Sequence, residues 1–248
     1  MTLVLIILFS LVGSVGAIIV AASFLLFKEN TQKVLIPCLI AYATGTLLAG
    51  ALLGLIPHAL KSITPFQALF TVMIGIILFF LLEKIVIWRH CHNSDCIEVH
   101  QNTAPMILIG DAFHNFVDGI VIAVSFLTSI PLGIAVSLSV IAHEIPQEVG
   151  DFAILLHSGY SKKKALLLNT LSSATTLPAA ILAYFALAKI QFITPYVMAI
   201  SAASFLYIAL ADLYPELHKK TGVGHSIKQI VLILAGIGTM LIVLQFHP

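Results

Sequence analysis

Eleven residues, His143 to Ala153, place one imidazole, one amide and the carboxylates of Glu144, Glu148 and Asp151 in a stretch otherwise apolar enough for a membrane interior. The stretch before it, Ala104 to Thr128, does the same with Asp111, His114, Asn115 and Asp118. An acidic side chain near the bilayer centre costs about 2.5 to 3.5 kcal/mol, so five of them stand for roughly 12 kcal/mol of unfavourable transfer. Packing gains nothing from that cost. Carboxylates interleaved with imidazoles point instead to a cation whose charge offsets their burial.

Helical phase sharpens the reading. At about 100° per residue, His143, Glu144, Gln147, Glu148 and Asp151 fall within an arc of roughly 140°, and Asp111, His114, Asn115 and Asp118 within roughly 100°. Each helix therefore carries a polar stripe that lipid cannot face. The pairs His114/Asp118 and His143/Gln147, four residues apart, can each offer two ligands to one ion, and Asn115 with Glu144 can flank a second. Imidazole with carboxylate suits zinc, iron or manganese better than calcium, which takes oxygen alone. Two histidines make zinc the first choice, with iron, manganese and cadmium allowed by ligand type.

Other polar residues admit plainer readings. Asp111, Glu148 and Asp151 can orient the histidines or accept protons, and Glu148 joins the candidate set. Pro146 removes a hydrogen bond to the carbonyl of Ala142, which makes a hinge or an extra oxygen donor beside the ligands. His58 reads as an interfacial residue, and Asp212 and Glu216 as solvated or structural groups at a helix end. Asn169, Ser172, Ser173, Thr175 and Thr176 form a hydroxyl-rich helix that interhelical packing explains. The segment 89–103, with Cys91, Cys96, His90, His92 and His100, matches no zinc-finger spacing and reads as a cytoplasmic metal-collecting loop.

The elements that must position these groups are membrane helices. Hydrophobic residues make up 60% of the 248 and charged ones 9%, which removes the chain from the class of soluble globular domains. At about 20 residues per span, eight spans are expected, near 3–27, 34–56, 66–88, 104–128, 131–156, 164–189, 193–214 and 227–246. The fold class is thus all-α, a polytopic membrane protein, read as one transmembrane domain over 1–248. The first span lacks a basic leader region and exceeds a signal-peptide core in length, so it is kept as a helix. Pro57 is expected to close the second span, and Pro195 and Pro215 to bracket the seventh. Short loops predict that consecutive helices pack as antiparallel neighbours, with Gly13, Gly16, Gly45, Gly50, Gly54, Gly236 and Gly238 at helix contacts.

Charge gives orientation. With the N-terminus outside, ten of the twelve basic residues fall in inner loops and only Lys61 and Lys189 outside. The positive-inside rule then puts both termini in the extracytoplasmic space. Cys91 and Cys96 become cytoplasmic free thiols. No basic stripe with interleaved aromatics speaks for nucleic acid.

The strings His114-Asn115-Phe116-Val117-Asp118-Gly119 and His143-Glu144-Ile145-Pro146-Gln147-Glu148-Val149-Gly150-Asp151 resemble the paired signatures of the ZIP (Zrt/Irt-like) metal transporters, specifically the LZT branch. Phe205-Leu206-Tyr207-Ile208-Ala209-Leu210 and Leu55-Ile56-Pro57-His58-Ala59-Leu60 resemble that branch's seventh helix and second helix end. The resemblance implies an eight-helix importer of divalent metal, zinc first. It further implies a homodimer, alternating access by an elevator or rocking motion, and a plasma (inner) membrane in preference to an organelle. Carried over by position, His114, Asp118, His143 and Gln147 form the primary site, with Asn115 and Glu144 in an adjoining one. Gln147 departs from the branch, where a second histidine is usual, and a neutral amide is a weaker ligand.

Two other classes compete. His143-Glu144-x-x resembles the start of the H-E-x-x-H motif of zinc proteases, but Gln147 replaces its second histidine and Pro146 interrupts the helix. A proton-coupled carrier or channel would use the carboxylates without metal, and the histidine pairing argues against it. No enzymatic role and no resident cofactor are expected.

Overall fold

The computed structural model describes residues 1–24, 26–88, 104–219 and 222–245. Among them eight helices are long and apolar enough to cross a membrane: α1 Thr2–Phe24, α2 Asn30–Ala59, α3 Pro65–Ile85, α4 Ile107–Thr128, α5 Ile130–Leu156, α6 Lys162–Lys189, α7 Gln191–His218 and α8 Val223–Gln245. The expected all-helical class and span number hold. Segment 89–103, with its Cys/His cluster, lies outside the described residues.

Proline ends fewer helices than expected. α2 runs through Pro57 to Ala59, and α7 through Pro215 to His218. Each proline follows a π-helical turn, Gly50–Leu55 in α2 and Ile208–Leu213 in α7. The carbonyls four residues earlier, on Leu53 and Ala211, lie inside those wide turns, where the ladder has already shifted register. The missing N–H therefore breaks no regular bond. Pro146 likewise sits inside an unbroken helix, Ile130–His157. By contrast α6 is interrupted between Ser173 and Thr176, just ahead of Pro178.

Sequence neighbours are not, in general, packing neighbours. The most extensive contacts join α2 to α8, α4 to α6 and α3 to α7, while α2 with α3 and α7 with α8 make little contact. Of the consecutive pairs, α4 and α5 do pack closely. The cause is backbone approach rather than loop length, because lipid supplies no hydrophobic force between helices. A Cβ on Gly45 would lie 2.1 Å from the carbonyl oxygen of Ile233, and one on Gly236 would lie 2.4 Å from that of Tyr42. These reciprocal glycines lock α2 onto α8. Gly119 does the same for α4 on α6, where an added Cβ would meet the Thr176 oxygen at 2.2 Å. Gly238, expected at a contact, faces open space.

The core lies where α2, α4, α5 and α7 converge, around Leu47, Ile122, Val124, Val136, Val140 and Phe205. α2 is the most enclosed helix, 72% buried, while α3 and α8 are 17% and 11% buried and form the periphery. The helices bearing the two polar stripes are thus held against each other by a clamp of α6 on one side and α2 with α7 on the other.

Candidate metal centre

His114 and Asp118 project from one face of α4 because they are four residues apart, and His143 and Glu144 meet them from α5. The Nε2 atoms of the two histidines are 3.0 Å apart. Asp118 Oδ2 lies 3.1 Å from His143 Nε2 and 3.8 Å from His114 Nε2. Glu144 Oε1 lies 3.3 Å from His114 Nε2 and 3.6 Å from His143 Nε2. A tetrahedral zinc ion with ligand bonds near 2.0 to 2.1 Å needs ligand atoms about 3.3 Å apart. These five separations scatter around that value.

The surroundings of the four residues favour a cation. Asp118, His143 and Glu144 are buried, and His114 keeps 18% of its side chain exposed. Both carboxylate oxygens of Asp118 and both of Glu144 have no hydrogen-bond partner among the described residues. Orphaned buried carboxylate oxygens cost several kcal/mol unless something positive meets them. The Nδ1–H of His143 donates to the Ser139 carbonyl at 2.9 Å, which turns Nε2, the nitrogen a metal would use, toward the cluster. Phe205 of α7 packs edge-on to the same ring, centroids 6.1 Å apart. Two nitrogens and two oxygens around one point suit a borderline dication such as zinc.

The remaining candidate residues are placed otherwise. Gln147 turns its amide to Asp111, donating to Oδ1 at 3.3 Å. Asn115 donates to the same oxygen at 2.9 Å and accepts from Thr176 at 2.9 Å and Ser173 at 3.3 Å. Glu148 accepts from Asn169 through one oxygen, and its other oxygen is unpartnered among the described residues. Asp111, Glu144 and Glu148 form a second group whose ligand-capable atoms lie within 4.8 Å of one another, so Glu144 stands between both groups. Ser172 completes the support of Asp111, its hydroxyl donating at 2.5 Å.

The polar residues of α6, read from sequence as packing groups, are therefore a support layer for this cluster. The signal was present in their spacing. Asn169, Ser172, Ser173 and Thr176 follow an i, i+3, i+4, i+7 pattern, one face of a helix.

A cavity of about 830 Å³ reaches the cluster at His114. Its walls include Glu83, Asp111, Gln147, Asp151, Asp212 and Glu216, and no lysine or arginine stands among the described lining residues. Tyr207 donates to Glu83 across that wall, joining α7 to α3. On the opposite side of the cluster the next turns of α4 and α5 are filled by buried Val121, Val124, Val136 and Val140. His58, at the end of α2, belongs to neither ligand group. Its Nδ1 donates to the Gly54 carbonyl at 2.9 Å, and its ring borders a separate cavity with Thr128 and Gln191.

An eight-helix membrane bundle with a buried, cation-competent cluster at the end of an acidic cavity defines a multi-pass ion carrier in architecture. The ZIP Zinc transporter family matches residues 89–244, and the chain belongs to that family, whose members are transporters rather than enzymes. Zinc transporter ZIP10 of Danio rerio is 36% identical over 151 residues, covering 58% of this chain and 18% of that protein. Zinc transporter zipt-7.2 of Caenorhabditis elegans is 38% identical over 146 residues, 57% of this chain and 31% of its own. Zinc transporter ZIP4 of Homo sapiens is 44% identical over 114 residues, 46% of this chain and 18% of its own. The chain thus spans well under half the length of the curated relatives it matches, and the ZIP4 and ZIP10 relatives lie in the LZT branch indicated by the motifs.

Proposed function

We propose that this chain carries zinc across a membrane toward its cytoplasmic side by alternating access. The ion is held by His114, Asp118, His143 and Glu144. Asn115, Gln147 and Glu148 belong to the surrounding polar layer, with Glu148 and Asp111 able to take the ion or a second one as it moves past Glu144. The observation that carries this reading is the set of orphaned carboxylate oxygens on Asp118 and Glu144, at tetrahedral spacing from two imidazole nitrogens. A dication engages Asp118 Oδ2 and Glu144 Oε1 together with both ring nitrogens.

The direction follows from charge. The acidic cavity is lined by the ends of α3 and α7 and the starts of α2 and α4, the ends adjoining the lysine-rich loops. The positive-inside rule makes those loops cytoplasmic and the cavity an inward-facing exit, with both termini outside. The valine-packed side then closes the ion off from the exterior. His114, the partly exposed ligand, is the last to let go. Residues 1–248 act as one transmembrane transporter domain, assembling as a homodimer in the plasma membrane, and iron, manganese and cadmium compete for the same ligands. The decisive test is uptake of zinc, iron, manganese and cadmium by proteoliposomes, with and without a pH gradient. Saturable zinc uptake supports the proposal, and its absence at verified insertion overturns it.

A further inference from the structure

Gly50 carries no ligand atom and is buried where α2 enters its π-helical turn, Gly50–Leu55. α7 packs closely on that turn. A Cβ placed on Gly50 would lie 3.2 Å from Cδ2 and Cε2 of the Phe205 ring and 3.2 Å from the hydroxyl of Ser139. At that distance one neighbour must give by a few tenths of an ångström. Both neighbours also touch His143, Ser139 through the carbonyl that accepts its Nδ1–H and Phe205 through its ring. The bare backbone at residue 50 is therefore one contact away from a ligand of the cluster.

The two neighbours differ in their freedom to move. The Ser139 hydroxyl donates to the Thr46 carbonyl of α2 at 3.0 Å and lies 3.3 Å from the sulfur of Met240 in α8. Thr46, Ser139 and Met240 are all fully buried, so that hydroxyl is pinned. The Phe205 ring is also fully buried, but apolar contact alone holds it, and it turns about its side-chain bonds. A methyl at residue 50 thus presses on the ring, and the ring meets the imidazole.

We propose that Gly50 is a positioning residue for the metal site: by leaving room for Phe205, it sets the direction in which His143 presents Nε2. This rests on His143 being a zinc ligand, as proposed above. His143 supplies one of the two nitrogens of the cluster. Turning it away leaves one imidazole and two carboxylates, a set that suits manganese better relative to zinc. Gly50 is therefore a determinant of selectivity as well as affinity, although nothing on it touches the ion. Gly54, four residues further along the same π-helical turn, provides the contrast. The nearest neighbours of a Cβ there would be Leu132 at 3.1 Å and Leu244 at 3.9 Å, not Phe205 or Ser139.

The test measures zinc and manganese binding by calorimetry on the full chain in detergent micelles, with thermal unfolding of each variant alongside. Gly50→Ala is expected to weaken zinc binding by about 10-fold and manganese binding by less, so that the preference for zinc falls. Gly54→Ala leaves both unchanged. Phe205→Leu reproduces the loss, and in that background Gly50→Ala costs nothing further, because the narrower side chain makes room for the methyl. If Gly50→Ala alone does not fold, the double variant Gly50→Ala/Phe205→Leu carries the test: it must fold and bind zinc as Phe205→Leu does, and any other result overturns the proposal. Equal losses for zinc and manganese, or losses at residues 50 and 205 that simply add, also overturn it. A wild-type chain that binds no zinc overturns the reading of the site itself, whereas wild-type zinc binding that Gly50→Ala leaves intact overturns this inference alone.

Discussion

The Nε2 atoms of His114 and His143 approach to 3.0 Å with their rings at 86° to one another. Ring nitrogens so close hold two lone pairs in opposition unless a proton or a metal lies between them. His143 already donates its Nδ1 proton to the Ser139 carbonyl. With Asp118 and Glu144 beside it, the arrangement is one that a dication relieves and that neutral packing does not.

Replacing His143 with alanine is therefore expected to suppress zinc uptake with the protein still inserted. Losing an outer-shell partner of a metal site already costs about 10- to 100-fold, and losing a ligand should cost at least as much. Initial zinc uptake rates in proteoliposomes at matched protein content check this. A rate equal to wild type removes α5 from the pathway.

Gln147 bonds to Asp111 rather than standing among the four, so Gln147→His is expected to add a nitrogen ligand on the cavity side of the cluster. The measurement is competition of iron, manganese and cadmium against zinc uptake. The profile should narrow toward zinc, and an identical profile means that residue 147 does not reach the ion.

Ser172→Ala removes the hydroxyl that donates to Asp111. Without it the carboxylate loses a fixed orientation next to Glu144, and zinc affinity measured by calorimetry should fall by about 10-fold. Thermal unfolding changed by under about 1 kcal/mol would separate this from general damage.

Protons and zinc compete for the same atoms. Carboxylates and imidazoles must be free of protons to ligate, so zinc binding releases protons and weakens as pH falls. Calorimetry in buffers of different ionisation enthalpy reads the number released. A binding heat independent of buffer contradicts ligation by these groups.

Gly119→Ala drives a methyl into the Thr176 carbonyl, 2.2 Å away on α6, and should destabilise the bundle by about 1 to 3 kcal/mol. Gly238→Ala meets nothing within 4 Å and should shift stability by under about 1 kcal/mol. Unfolding in mixed micelles compares the two.

The sequence by itself determined the membrane class, the number of spans, and the two polar stripes. Each is a local property: hydropathy over some twenty residues sets a span, and a 3.6-residue period puts His114 with Asp118, or His143 with Glu148, on one side of a rod. Even the support layer on α6 was legible as a helical face. Which atoms of two stripes meet was not legible, because the phase of one helix fixes neither its rotation nor its height against another. Only the tertiary structure brought Glu144 to the two imidazoles, turned Gln147 toward Asp111, and paired α2 with α8 instead of α3. Those outcomes depend on where glycine lets two backbones touch, and that is a property of both helices together.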